Sequence, residues 1–434
     1  MKRREFLVAA GAAVAVLPDL NAGATTARSF PKGFLWGAAT SGHQVEGNNV
    51  NSDIWLLENV KPTIFVEPSA DADNSFALWP ADLDLVRALG LNSYRFSLEW
   101  SRIEPEPGLF SIAMLDHYKA LIEGCRSRGV TPVVTFNHYT TPRWFATRGG
   151  WTQPDAADLF ARFCDRAARH CAAGMGYATT LNEPNSFNMF AGTFPPGFVA
   201  AVNAMNAAAA RACGSDKLNN PMFQEPAQAA LVQAALIGAH KLGRAAIKAA
   251  RSDLPVGVSL AIRDEQAQGP NSLRDAKRKA FYGDWLEAVK GDDFVGVQNY
   301  ARAIWSDKGE VLRPASKTPG GNDAEFYPAS LANAVRYAHE ASGVPILITE
   351  HGAGTDDDAF RARLIPAALA ELQKVIAQGV PVKGYIHWSL LDNFEWLYGF
   401  QVKFGLCSVD RTTFRRTPKP SARVYGAIAR RNAV

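Results

Sequence analysis

Eight stretches of the chain are near-continuous apolar runs, and amphipathic stretches separate most of them. The runs are Phe34–Thr40, Ser93–Glu99, Thr131–His138, Tyr177–Glu183, Val256–Ala261, Phe294–Tyr300, Pro345–Glu350 and Val382–Ser389. Runs without regular apolar–polar alternation are the mark of strands covered on both faces in a parallel sheet. Helical spacing of apolar residues predicts helices over Trp79–Leu89, Met114–Arg128, Ala156–Ala173, Ala227–Ala250, Leu331–Ser342 and Phe360–Gln378. Strands alternating with helices in this way predict an α/β fold, a (β/α)8 TIM barrel in a single domain over residues 25–434. A doubly wound sheet is the alternative, but no G-x-G-x-x-G or Walker-type turn follows any run.

The long connections 41–78, 139–153, 184–226 and 301–330 all follow a strand, so they are expected at the C-terminal face of the barrel. They carry many of the aromatic residues, among them Trp55, Trp144, Trp151, Phe187, Phe190, Phe194, Phe198 and Trp305. Residues 201–226, rich in Ala and Asn with little periodicity, are the segment expected to be most mobile. Polar residues gather at the strand ends. The fourth run closes on Asn182-Glu183-Pro184, where Pro184 has no N–H to donate and is expected to push Glu183 toward extended backbone. Taken alone, Glu183 reads as readily as a solvated loop charge. In a barrel, however, its neighbours are the other strand ends: Gln44 after the first run, Arg95 in the second, His138, Tyr300, Glu350, and Trp388 running on to Glu395-Trp396.

Composition adds little to this picture and removes some function classes. The chain has 434 residues, 47% apolar and 20% charged, with a formal charge of +4. Its Lys and Arg are scattered, so no nucleic-acid partner is expected. Residues 1–24 are set apart from the fold. Lys2-Arg3-Arg4 precedes an apolar run from Val8 to Leu17 and a small-residue site at Ala22-Gly23-Ala24. This is the layout of an export signal too short to anchor in a membrane, and the paired arginines resemble the twin-arginine type. A periplasmic or extracellular location, without a membrane anchor in the mature form, is the expectation. The cysteines (Cys125, Cys164, Cys171, Cys213 and Cys407) lack metal-ligand spacing, and buried free thiols are expected; no metal or cofactor is implied.

Carboxylates, amides and indoles converging on one pocket suit a neutral polyhydroxylated ligand. Glu183 and Glu350, on strands four and seven at opposite sides of the barrel, are the minimum equipment for glycoside hydrolysis. One carboxyl must donate a proton while the other is ionised, and Arg95 is placed to keep Glu350 ionised. The motifs Phe30-Pro31-Lys32-Gly33-Phe34-Leu35-Trp36-Gly37, Gln44-Val45-Glu46-Gly47, Tyr94-Arg95-Phe96-Ser97, Asn182-Glu183-Pro184, Ile348-Thr349-Glu350 and Trp388-Ser389-Leu390-Leu391-Asp392-Asn393-Phe394-Glu395-Trp396 resemble the family 1 glycoside hydrolases, the retaining β-glucosidase group.

The resemblance implies a retaining exo-β-glycosidase that acts on small β-glycosides without a cofactor. Glu183 is then the acid/base and Glu350 the nucleophile, with Arg95 and Tyr300 as the nucleophile's supports. Gln44 and Glu395 grip the outer hydroxyls, His138, Asn182 and Trp396 complete the sugar site, and Trp388 is the platform under the ring. Each also has a bland reading: Gln44 and His138 as satisfied core polar groups, the two tryptophans as core aromatics, Arg95 as a tie across the barrel floor. A non-catalytic carbohydrate-binding relative and a transglycosidase are the alternative functions. The chain departs from the family pattern at His43, Tyr139, Gln298 and His351, all four expected to border the sugar pocket. Tyr139 and His43 stand where other aromatics are usual, and Gln298 and His351 where asparagine is common. The cationic cluster of the 6-phosphoglycosidases is not seen, and Glu395 in that region would repel a phosphate.

Overall fold

The computed structural model describes residues 29–190, 194–311 and 325–434. The export-type segment 1–24 lies outside the described residues, as does most of the second half of the 301–330 connection. Eight strands form a closed barrel, all pairs parallel: β1 (Leu35–Ala39), β2 (Ser93–Ser97), β3 (Thr131–Asn137), β4 (Tyr177–Asn182), β5 (Val256–Ala261), β6 (Phe294–Asn299), β7 (Ile346–His351) and β8 (Val382–Trp388). Each follows its chain predecessor around the ring, and β8 pairs with β1 to close it. The eight apolar runs are these eight strands, offset by one or two residues at their ends.

Two apolar layers account for the closure. Outside the barrel, Tyr94, Phe96, Val134, Phe136, Val258 and Ile348 pack with the helices in one continuous core. Inside, Leu35, Val133, Phe294, Leu347 and Ile386 fill the lower part, and Trp388 joins them near the top. Above this plug the interior becomes polar, with Arg95, Thr135, Thr179, Ser259 and Thr349 all buried. The helix Ala156–Cys171 shows how the outer layer is built. It buries Phe160, Phe163, Cys164, Ala167, Ala168 and Cys171, one stripe at the helical period. Helix Ala229–Ala250 packs on it, and a Cβ on Gly243 would come within 2.9 Å of Phe160 and 3.1 Å of the Cys164 sulfur. All five cysteines are free thiols; Cys213 is only half-buried, the others buried.

Strand register decides where the polar ends point. Thr179 pairs with Gly257 but Asn182 with Ser259, so β4 carries one extra residue against β5. Val297 pairs with Ile348 but Gln298 with Glu350, so β7 carries one extra against β6. An inserted residue interrupts the in–out alternation. On β4 it leaves Thr180 and Leu181 both facing outward and turns Asn182 inward; on β7 it brings both Thr349 and Glu350 to the barrel interior. Both shifts fall within four residues of a carboxylate.

Four expectations change. Residues 201–226 are not irregular throughout: Pro196–Ala212 is an α-helix that buries Val202, Met205 and Ala208–Ala210, because Val202, Met205 and Ala209 join a second apolar cluster with Ile54, Leu57, Phe223 and Phe394. Residues 302–305, expected in a loop, pair with residues 264–267 as a parallel ribbon beyond β5 and β6. Strands β4 and β7 are three steps apart around the ring, with β5 and β6 between them, rather than diametrically opposed. Glu183 is not extended; its φ is +43°, in the left-handed region, held by its N–H bond to the Ser259 carbonyl at 2.8 Å.

The crowded polar layer explains a glycine on β6. A Cβ at Gly296 would lie 2.7 Å from the Ser259 Oγ and 2.9 Å from both the Ser259 Cα and the Thr349 Oγ1. Gly296→Ala should therefore destabilise the fold by about 1–3 kcal/mol through overpacking, read as a lower urea midpoint at unchanged m-value.

Candidate active site

The centre of the site is a guanidinium at the barrel axis. Arg95 is fully buried. Its Nε donates to Thr135 Oγ1 at 3.1 Å, its Nη1 to Glu350 Oε1 at 2.6 Å and its Nη2 to Asn182 Oδ1 at 2.6 Å. Thr135 in turn shares a hydrogen bond with Thr179 at 2.8 Å. One side chain thus ties β2 to β3, β4 and β7. Gln298 Nε2 adds a bond to Asn182 Oδ1 at 2.8 Å, and the Asn182 amide faces His138 Nε2 at 3.1 Å. Burial and the nearby Arg95 hold His138 well below the usual imidazole range, so it is neutral and Nε2 accepts from Asn182.

Glu350 and Glu183 line one cavity of about 350 Å³ at the C-terminal mouth, together with His138, Tyr139, Asn182, Gln298, Tyr300, Trp388, Glu395 and Trp396. Their surroundings differ. Glu350 is 5% exposed, takes the Arg95 contact on one oxygen and accepts the Tyr300 hydroxyl at 2.6 Å on the other. Glu183 accepts the Tyr139 hydroxyl on Oε2 and has no cation in contact. Burial pushes both carboxyls up. For Glu350 the guanidinium and the phenol oppose that push; for Glu183 the Glu350 charge adds to it, and its pKa is raised to about 8. The Arg95 contact therefore biases the pair toward a charged Glu350 and a protonated Glu183.

The wall opposite is aromatic. Trp388 stacks on His138 with ring centres 5.7 Å apart, and its Nε1 donates to Glu395 Oε1 at 3.2 Å. Trp396 lies between His138 and His43, nearly parallel to both. Burial pushes Glu395 to about 8 as well, against the bonds from Trp388 and Gln44. Gln44 is fully buried and sits one layer behind Glu395: its Nε2 bonds the Phe394 carbonyl at 2.8 Å, Asn393 at 3.1 Å and Glu395 at 3.4 Å. Tyr139, Glu183 and Trp396 all have positive φ, at +68°, +43° and +52°. Three strained non-glycine residues around one cavity are a concentration typical of functional sites.

The strand-end residues are thus brought together, with Arg95 and Gln44 beneath the lining rather than in it. Of the four departures, Tyr139 and Gln298 line the cavity. His43 and His351 do not border it: His43 stacks behind Trp396 with Nε2 3.5 Å from Glu58, and His351 bonds the Tyr385 hydroxyl at 2.8 Å. Both point away because their rings pack against the next layer of side chains. Sequence reasoning missed the apolar side of the cavity, formed by Met189, Phe190, Met222, Ile262 and Phe404 with Arg263. Apart from Phe190, already among the loop aromatics, these residues come from four segments of the chain with no shared spacing. A second, larger cavity of about 530 Å³, walled by amides of the 148–154 and 216–228 segments, contains none of the expected site residues.

The glycosyl hydrolase family 1 model matches residues 26–285 and 290–434. The chain belongs to that family. Among solved structures, a β-glycosidase is 42% identical with a TM-score of 0.86, covering 93% of this chain and 98% of its own. An apo β-glucosidase is 40% identical with a TM-score of 0.87, covering 92% and 99%. A β-glucosidase of Agrobacterium sp. is 30% identical over 93% of this chain and 96% of its own length. This family 1 member is a glycoside hydrolase of the retaining type, on the barrel that its sequence motifs implied.

Removing Arg95 strands the buried Glu350 charge. Arg95→Met should cost about 3–5 kcal/mol of stability, the penalty of an unpaired buried ion, measured by urea denaturation at pH 7.

Proposed function

We propose that the protein hydrolyses small β-glucosides, with Glu350 as nucleophile and Glu183 as acid/base. The observation that supports this assignment is the asymmetry of the pair: Glu350 contacts the guanidinium, Glu183 does not. In the first half-reaction a Glu350 oxygen attacks the anomeric carbon and the bond to the leaving oxygen breaks. That oxygen takes the proton of Glu183. In the second, water adds to the anomeric carbon, its proton passes to Glu183, and the ester to Glu350 breaks. Two inversions return the original β configuration. Tyr300 and Arg95 hold Glu350 in place and stabilise it as the leaving carboxylate.

The sugar would stack on Trp388 and present its hydroxyls to Glu395, His138, Asn182 and Trp396, with Gln44 positioning Glu395 from behind. Glu395 is bonded by Trp388 and Gln44 rather than by a cation, so it offers a phosphorylated sugar no counter-charge and suits a neutral one. The apolar wall of Met189, Phe190, Met222, Ile262 and Phe404 suits an aryl or alkyl aglycone. The Lys2–Ala24 segment supports export, and no helix among the described residues is long and apolar enough to cross a membrane. Cell fractionation with and without Arg3→Lys/Arg4→Lys tests that part: the protein should stay in the cytoplasm when the pair is replaced.

Glu350→Gly should lose hydrolysis of an aryl β-glucoside by at least about 1,000-fold, a loss of several kcal/mol of transition-state stabilisation. Azide should restore turnover and yield a glycosyl azide; wild-type rates in this variant would remove Glu350 from the mechanism. The kcat/KM profile should fall as pH rises through about 8, where Glu183 loses the proton it must donate. Glu183→Gln should abolish that limb.

A further inference from the structure

Tyr139 follows His138 at the mouth of the barrel, and unlike a Trp or Phe it carries a hydroxyl. Its own hydroxyl donates to Glu183 Oε2, with Ser186 Oγ next to it at 3.4 Å. The side chain is buried and its ring stands edge-on to Trp396, 5.4 Å between centres. The backbone is fixed in the left-handed region, φ +68°. Asn137 Nδ2 bonds the Thr140 carbonyl at 2.7 Å and the Thr140 N–H bonds the His138 carbonyl at 2.8 Å, so the turn that aims the ring is clamped on both sides. A strained backbone, a packed ring and a hydroxyl on the carboxylate all serve one orientation.

We propose that Tyr139 is the positioning residue of the acid/base: its hydroxyl pins Glu183 Oε2, leaving Oε1 to carry the proton to the leaving oxygen, and stabilises the carboxylate that remains. This rests on Glu183 being the acid/base. When Glu183 gives up its proton, Tyr139 keeps its own, because burial and the two glutamates hold the phenol well above its ordinary range. The hydrogen bond then strengthens as charge develops on Oε2. The other groups around Glu183 do not supply this. Glu350 from β7 disfavours a second negative charge, Arg95 from β2 favours it through space but spends its hydrogen bonds on Glu350, Asn182 and Thr135, Tyr300 donates to Glu350, Glu395 is bonded by Trp388, and His138 is neutral. Ser186 is the remaining hydroxyl, and it contacts the phenol.

A hydroxyl that favours the charged form makes Glu183 a stronger acid, so its effect is largest where the departing oxygen needs a proton. The test compares octyl β-glucoside, a poor leaving group, with 2,4-dinitrophenyl β-glucoside, which departs unprotonated. In Tyr139→Phe, kcat/KM on the octyl substrate should fall about 10-fold, the worth of a hydrogen bond to a charged group, while the dinitrophenyl substrate changes by less than about 2-fold. The basic limb of the pH profile should move up by roughly one pH unit, because Glu183 loses a bond that favours its ionised form. An equal fall on both substrates, or a limb that stays in place, overturns the proposal. Tyr139→Trp, which keeps an aromatic ring in the turn, should show the same selective loss and serves if the Phe variant does not fold. Glu183→Gln separates the two assignments: if the basic limb persists there, the acid/base reading fails, whereas a limb lost there but unmoved in Tyr139→Phe sinks only the role of Tyr139.

Discussion

The guanidinium of Arg95 is the constraint on which the site depends. Taking an arginine wholly out of water costs several kcal/mol, and the cost is tolerable only where its donors find acceptors of good geometry. Here they find Thr135, Asn182 and Glu350, on three different strands, so the same bonds that satisfy the charge also fix the barrel floor. The two bland and functional readings of this residue coincide. A structural tie across the barrel is also what opposes the rise that burial imposes on Glu350.

The asymmetry propagates outward from that contact. Because Glu350 has the cation in contact, its charge becomes one of the causes that raise Glu183, and the two carboxyls sit in unlike surroundings. Tyr300 and Tyr139 repeat the pattern one layer out, each giving a hydroxyl to one carboxyl. Glu395 is a third buried carboxyl in the same cavity, bonded by an indole rather than a guanidinium, and it too is raised to about 8. Three acids share the cavity, burial raises all of them, and Arg95 contacts one, Glu350.

Holding these groups in place costs backbone energy. Left-handed geometry at Tyr139, Glu183 and Trp396 represents about 1–3 kcal/mol each, and the extra residues in β4 and β7 interrupt the ladders beside the two catalytic candidates. The apolar plug of Leu35, Val133, Phe294, Leu347 and Ile386 below, and the helical layer outside, are what a strained rim can be built on. Three of the non-glycine residues in the left-handed region, Tyr139, Glu183 and Trp396, line the cavity at the C-terminal mouth.

The sequence by itself determined the barrel, because strands buried on both faces must be apolar almost throughout and each helix between them shows its stripe. It also determined which residues meet: His138, Asn182, Glu183, Tyr300, Glu350 and Trp388 lie at or next to strand ends, Arg95 points inward from the middle of β2, and Glu395 and Trp396 follow β8, and a closed parallel barrel sends strand ends to one mouth. The tertiary structure alone decided what each residue faces there. One-residue register shifts turn Asn182 and Glu350 inward, and no periodicity in the chain announces an inserted residue. Pro184 argued for an extended Glu183, yet the bond to Ser259 on the next strand overrode that local preference. Gln44 and His43 lie at the same turn as other site residues but fall behind the lining, since depth depends on packing between distant segments. The apolar aglycone wall was illegible for the same reason: its residues share a surface and nothing along the chain.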